Sequence, residues 1–463
     1  MTKEQQDIVD YKGNEVLIRG IAGSGKTLVM LKKAKKTAMK YPEDKVVIFT
    51  YAGALNNSTK HIIEKYALKN LEVKTFHSWA MGAFTRAMKK KYWLVKGKHQ
   101  DNFIKQGVEK VKSNRSHRFV DNGEYFDFLK EEIQWIKGKA IQTMDEYLDV
   151  NRRGRGTTTR VTMADREVIF DIFEAYNKEK DYRNDFDDAA VALFLNKEKI
   201  SDGDKYDHIF VDEAQDLQQV QLQVLKNIAR RTFIVAADKG QKIYKTSFTW
   251  KEIGINITGG RTKVLKESYR STKQIIELAN SLQQNDTVIH DEEYVAPTLP
   301  TREGPMPILY KCKSESVQDD EIIKSIKKIQ AKTPDCTIGI LYRNGISWRK
   351  DSSRNRILRK LETAGYRPED IKEGGNPHTP GIKLCTFHSA KGLEFDFVFI
   401  IDLVEPTSTP DEEKEENYWE IERRLLYVSI TRARAHLQLF THGEPLRLLK
   451  ELDTQFNKSM NLY

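Results

Sequence analysis

The chain has 463 residues, 39% of them hydrophobic, enough for two or three ordinary domains that each bury a core. Its 77 basic and 67 acidic side chains leave a net charge of +10, which suits a polyanionic partner without demanding one. Cys312, Cys336 and Cys385 are far apart with no CxxC pair, which argues against a disulfide frame or structural zinc, and no apolar run approaches the roughly 20 residues of a membrane span, so a soluble, cytoplasmic protein without membrane contacts is expected.

Val16 to Ile18 form the first apolar β-type run, and G-I-A-G-S-G-K-T follows it between Gly20 and Thr27. This is a P-loop in its strand-to-helix setting. Gly20, Gly23, Ser24 and Gly25 make the phosphate cradle, where glycines let backbone N–H groups face a polyphosphate and the next helix adds its dipole. Lys26 is expected on the β/γ-phosphates of a nucleoside triphosphate, and the Thr27 hydroxyl on Mg²⁺. A second run spans Val46 to Thr50. From about residue 85 to 189 the strand rhythm gives way to helical segments rich in charge and aromatics, an inserted domain. Its first part carries Lys89, Lys90, Lys91, Lys96, Lys98 and neighbouring bases interleaved with Tyr92, Trp93 and Phe103. That pattern fits either a phosphate-tracking surface or solvated helix faces over buried rings. Arg152 to Arg160 reads as a flexible basic loop.

Strand runs resume at His208 to Val211 and at Phe233 to Ala236. The first ends in D-E-A-Q-D, where Asp212 can hold Mg²⁺ through water and Glu213 can polarise a water for attack on the γ-phosphoryl group. Further runs at Ile308 to Tyr310, Ile338 to Tyr342, Ile382 to Thr386, Phe397 to Ile401 and His436 to Phe440 define a second unit, with Pro297 to Pro307 as linker-like sequence. The expected class is α/β. Residues 1–84 and 190–262 form the first domain, 85–189 a basic helical insertion, and 263–463 the second domain.

D-E-A-Q-D and its neighbours resemble motif II of the UvrD/Rep-type superfamily 1A DNA helicases, and the other motifs follow in order over nearly the whole chain. The resemblance implies two RecA-like domains with parallel sheets. Thr2-Lys3-Glu4-Gln5 resembles the Q motif and places Gln5 on the adenine edge. Thr75 to Ser78 resembles T-F-H-S, and Asp185 to Asp188 the segment before motif II. Ala237 to Tyr244 resembles motif III, with Gln241 sensing the γ-phosphate and the attacking water. Ser268 to Thr272 resembles motif IV, which puts Tyr269 on the adenine ring and Arg270 on the γ-phosphate. Thr386 to Phe395 resembles motif V, implying a ribose contact for Glu394 and nucleic-acid contacts for Thr386 and His388. Glu422 to Arg434 resembles motif VI, with Arg432 as arginine finger.

Strand contacts are expected at Phe49, Tyr51, Phe76, His77 and Tyr244, and at Trp250 if it takes over the stacking role of the aromatic that Thr246 replaces. Packing under the motif is the other reading of Phe248 and Trp250. Only about 110 residues separate Thr272 from Gly381, so the large second insertion of full-size relatives is expected to be absent or vestigial. The resemblance implies an ATP-dependent 3′-to-5′ motor on single-stranded DNA or a single/double-strand junction. RNA stays open as track, since phosphate contacts do not tell the sugars apart. The rival reading is an ATP-gated DNA-binding module that recruits a nuclease or another replication, repair or defence partner. No nuclease-like cluster of acids and lysine stands outside the motor motifs.

Overall fold

The computed structural model describes residues 1–152, 159–242, 248–291, 293–343, 352–406 and 412–462. Two parallel sheets organise them. The first contains β1 (Glu15–Gly20), β2 (Val46–Thr50), β3 (Leu71–Thr75), β4 (Tyr206–Val211), β5 (Ala229–Ala237) and β6 (Thr262–Leu265), in the order β3-β2-β4-β5-β1-β6. The second contains β7 (Ile308–Cys312), β8 (Thr337–Tyr342), β9 (Glu369–Asp370), β10 (Gly381–Thr386), β11 (Phe395–Ile400), β12 (Ala433–His442) and β13 (Lys458–Leu462), in the order β13-β7-β12-β11-β8-β10-β9. All pairings are parallel, with helices on both faces. This explains the continuous apolar runs, since a parallel strand covered on both faces has no polar side to show.

The strands without an apolar signal lie at or near the sheet edges. β3, β6 and β9 are only partly buried and β13 is largely exposed, so their sequences need no apolar run. β6 pairs with β1 from Leu17 opposite Thr262 to Gly20 opposite Leu265. The expected division at 262 therefore falls inside a strand of the first sheet and moves to just beyond Leu265.

Helices Lys98–Lys112, Phe126–Gly138 and Met163–Lys180 form a separate core around Ile104, Phe128, Tyr147, Ile169 and Tyr176. Gly107 makes the first and third touch: a Cβ there would lie 2.8 Å from the Tyr176 backbone nitrogen. Arg152 is not part of a free basic loop. Its guanidinium is sequestered by Glu132, with one nitrogen 3.1 Å from Oε2, and by the Tyr147 hydroxyl, also at 3.1 Å, while Arg153 and Arg155 lie outside the described residues.

Buried charge ties the insertion's helices to the segment that leads back into the first domain, where the helix Asp188–Leu195 joins that domain's core. Lys137, from the second of these helices, donates to Asp185 and, at 2.7 Å, to Asp188; the Tyr176 hydroxyl donates to Asp185 at 2.6 Å. Burial opposes ionisation of Asp185, but Lys137 and Lys180 outweigh it and hold the carboxyl below its usual range. Between Lys273 and Gly381 the helices Lys273–Gln283, Glu315–Lys332 and Ser353–Thr363 pack on the second sheet. Among the described residues there is no separate helical domain in this stretch, and no helix is long and apolar enough to cross a membrane.

Candidate active site

The P-loop runs from the end of β1 into helix Lys26–Lys40. Gly23 and Gly25 have φ of +75° and +86°, and a Cβ on them would meet Ser268 Oγ at 2.5 Å and Gln5 Nε2 at 2.6 Å. Glycine is thus required twice, for conformation and for space. Gln5 is fixed by the capping box of its helix and donates to Ser24 O at 3.0 Å, which ties the Q motif to the loop. Gly20 leaves room for Ser24, whose Oγ would lie 2.7 Å from a Cβ at Gly20 and donates to Ile21 O at 2.9 Å.

Thr27 donates from Oγ1 to Asp212 Oδ2 at 2.7 Å, so the two predicted metal-binding groups touch. Burial, then the adjacent Glu213, pushes the Asp212 carboxyl up to about 6. A buried acid strained in this way is a fitting ligand for a divalent cation, which would relieve the repulsion. Glu213 behaves oppositely. Burial raises its pKa, but Lys391, Lys26 and Arg432 prevail and hold it below the usual value. Its φ of 52° is left-handed, a strained conformation that turns the carboxylate off the strand axis into the cleft.

β5 lies between β1 and β4, and its end carries the groups that link the P-loop to the acids. Asp238 accepts from Lys26 Nζ at 3.1 Å and from Gln241 Nε2 at 2.5 Å, while its backbone N–H donates to Gln215 Oε1 at 3.0 Å. Gln215 in turn donates to Glu213. Lys26 also donates to Gly20 O and Ile21 O, both at 2.8 Å.

The second domain completes the site. Arg432, 1% exposed, donates to Gln241 Oε1 at 2.6 Å across the cleft and to Val428 O at 2.8 Å within its own domain. Burial, then Arg270, lowers its pKa to about 9. Arg270 pairs with Glu394 at 2.6 Å, and that arginine is the main cause of the lowered Glu394 carboxyl. Tyr269 is 40% exposed and is hung from Gly23 O by its backbone N–H at 2.9 Å. Gln5, Gly23, Gly25, Lys26, Thr27, Glu213, Gln241, Tyr269, Arg270, Glu394 and Arg432 all line one cleft of about 620 Å³. The cradle, the touching Thr27–Asp212 pair and this volume fit a nucleoside triphosphate with Mg²⁺.

Sequence reasoning missed several members of the site. Lys391 bridges the domains, reaching Asp216 at 2.6 Å and Gln241 O at 2.5 Å. Burial raises Asp216 to about 7 against that lysine. Its signal was present, a lysine inside motif V, but no local pattern shows what it meets. Leu28, 41% exposed, opens onto the same cleft as Tyr269. At the rim His378 Nε2 lies 2.8 Å from Ser58 Oγ of the other domain.

The expected nucleic-acid residues divide. Phe49 and Phe76 are completely buried and Trp250 is 2% exposed, all in the core of the first domain, so the expectation of strand contact is corrected for them. Phe49 meets Trp79 and Tyr206 edge to face, and Trp250 meets Phe248 at 5.3 Å. The inward side of a covered strand and the need to cover the sheet decide their place. Thr386 is also buried and makes a turn with Ser389, their hydroxyls 2.8 Å apart, so it shapes motif V instead of offering a surface. His388 is half-buried, and burial lowers its pKa. Tyr51 and His77 meet edge to face at 6.2 Å, with Phe186, 40% exposed and not foreseen, 5.3 Å from His77. Burial pushes His77 down to about 4, so it is neutral near pH 7. Tyr244, Thr246 and Ser247 lie outside the described residues.

Fold and cleft together define a two-domain P-loop nucleoside triphosphatase of the helicase type. Residues 1–249 match the UvrD/REP helicase N-terminal domain and residues 346–444 the UvrD-like helicase C-terminal domain. The chain belongs to the UvrD/Rep-type helicases. It is 24% identical over 501 residues to a probable DNA helicase of Mycoplasma pneumoniae (strain ATCC 29342 / M129 / Subtype 1), covering 98% of this chain and 87% of that one. It is 24% identical over 369 residues to a probable DNA helicase II homolog of Mycoplasma capricolum subsp. capricolum, covering 73% of this chain and 48% of the relative. Against DNA helicase IV of Escherichia coli (strain K12) the identity is 22% over 498 residues, covering 95% and 68% respectively.

Proposed function

We propose that this chain is an ATP-driven motor that moves 3′ to 5′ along single-stranded DNA, with hydrolysis stimulated by the strand. The carrying observation is the contact between Arg432 and Gln241: a cation of one domain meets the γ-phosphate sensor of the other. Lys26, Arg270 and Arg432 stabilise charge that develops on the γ-phosphoryl oxygens, Glu213 takes the proton of the attacking water, and Gln241 orients that water. Mg²⁺, held through Thr27 and Asp212, would neutralise charge on the phosphate oxygens. Because the arginines and the sensor belong to different domains, binding and loss of the γ-phosphoryl group favour closing and opening of the cleft. Tyr51, His77 and Phe186 offer a stacking surface to the strand.

The test is ATP turnover with and without single-stranded DNA at low salt. Stimulation supports the motor; its absence refutes it. Lys26→Ala and Glu213→Gln should each abolish turnover, and Glu213→Gln should still bind ATP. Burial of Phe49, Phe76 and Trp250 favours a second reading, an ATP-gated DNA-binding module that recruits a nuclease or other partner. Streptavidin displacement from DNA blocked at either end separates the two. A motor clears the block at one polarity only, and a switch hydrolyses ATP and clears neither.

A further inference from the structure

The base of the helical insertion carries an aromatic and cationic surface that the nucleotide site does not use. Two segments run parallel there, held side by side by Val95 N–H donating to Asn184 O at 2.7 Å and Asn184 N–H donating to Trp93 O at 2.8 Å. They bring Trp93 and Tyr182 edge to face, ring centroids 6.4 Å apart. At 49% and 58% exposure these are the most exposed aromatic side chains among the described residues, and neither ring joins a core cluster. Tyr92, next to Trp93 in sequence, turns inward instead, packing edge to face on Phe84 and donating to Asp185 O.

Cations surround the pair. Lys91 Nζ stands 4.0 Å above the Trp93 ring, and the Arg183 guanidinium 4.7 Å above that of Tyr182. From Lys89 to Lys98 the chain has five lysines and no acid. All five are exposed, and among the described residues none has a carboxylate within 4.0 Å; Asp181 is the acid adjoining Tyr182. Protein interfaces are depleted of lysine, whereas a single-stranded nucleic acid needs flat platforms for bases and loose cations for phosphates. Four residues beyond Tyr182 the returning segment carries the exposed Phe186, which meets His77, itself edge to face with Tyr51.

We propose that Trp93 and Tyr182, with Lys89, Lys90 and Lys91, form an additional single-stranded DNA subsite at the base of the insertion. Bases stack on the rings, Lys91 and Arg183 leave the ring faces for phosphates, and Lys89 and Lys90 add further cations. The inference rests on the DNA-binding part of the proposed function and extends the track beyond the first domain.

The experiment titrates a fluorescent oligothymidylate with the full chain and follows anisotropy over a salt series. Trp93→Ala/Tyr182→Ala should weaken binding by about tenfold, while Trp93→Phe/Tyr182→Phe stays near wild type. Lys90→Glu/Lys91→Glu should flatten the log–log salt dependence by about 0.7 for each phosphate that is no longer neutralised. DNA-free ATP turnover should not change in any of the three. Wild-type affinity in both the alanine and the charge-reversal variants overturns the subsite and leaves the motor intact. Failure of the wild type itself to bind the oligonucleotide overturns the motor reading and the subsite together.

Discussion

Glu213 and Asp212 are adjacent in sequence yet their pKa values move in opposite directions because their neighbours differ. Asp212 faces Thr27, a neutral hydroxyl, whereas Glu213 faces Lys391, Lys26 and Arg432. The same contrast separates the aromatics. Trp250→Ala removes a buried indole and should destabilise the protein by about 3–5 kcal/mol, visible as a lower thermal midpoint, with unchanged DNA affinity in the molecules that remain folded. Phe186→Ala should do the reverse, weakening DNA binding several-fold with little change in midpoint, as read by anisotropy and thermal melting. Lys391→Ala leaves Asp216 buried without its cation, so turnover should fall at least tenfold while nucleotide binding persists, a difference that parallel kinetic and equilibrium titrations resolve.

At the scale of elements, β5 matters because it separates the P-loop strand from the acidic strand. The gap receives Asp238, which links Lys26 through Gln215 to Glu213 and also holds Gln241. The insertion depends on one buried lysine in the same way. Lys137→Ala strands Asp185 without its main cation and should lower stability by about 3–5 kcal/mol, measured by chemical denaturation. Asp185 is held below its unfolded value, so its contribution is complete above about pH 4 and is lost as pH falls through that value toward the folded one. Wild type should therefore lose stability on acidification in that window, and Lys137→Ala should show a smaller loss.

For the whole molecule, the cleft is a set of contacts between two domains with separate cores. Arg432 with Gln241, Lys391 with Asp216, and His378 with Ser58 all cross it. Arg432→Ala should lower the rate of hydrolysis by about 10³ to 10⁵, with a far smaller change in ATP affinity, as single-turnover and binding measurements will show. His378→Ala removes a rim hydrogen bond without touching the phosphates. It should speed nucleotide release and leave single-turnover hydrolysis near wild type, measured with a fluorescent ATP analogue.

The P-loop, the D-E-A-Q-D acids and the apolar strand runs were legible in the sequence, because local backbone geometry and two-sided burial leave their mark on consecutive residues. Gly20 to Thr27 can be read without a partner. Edge strands such as β13 left no such mark, since water covers one side of them. The sequence could not show that Phe49 and Trp250 turn inward or that Phe186 joins His77. Nor could it show that Lys391 closes on Asp216, 175 residues away. Those outcomes depend on which surfaces meet after the chain has folded, and that is settled by packing and desolvation over long sequence separations.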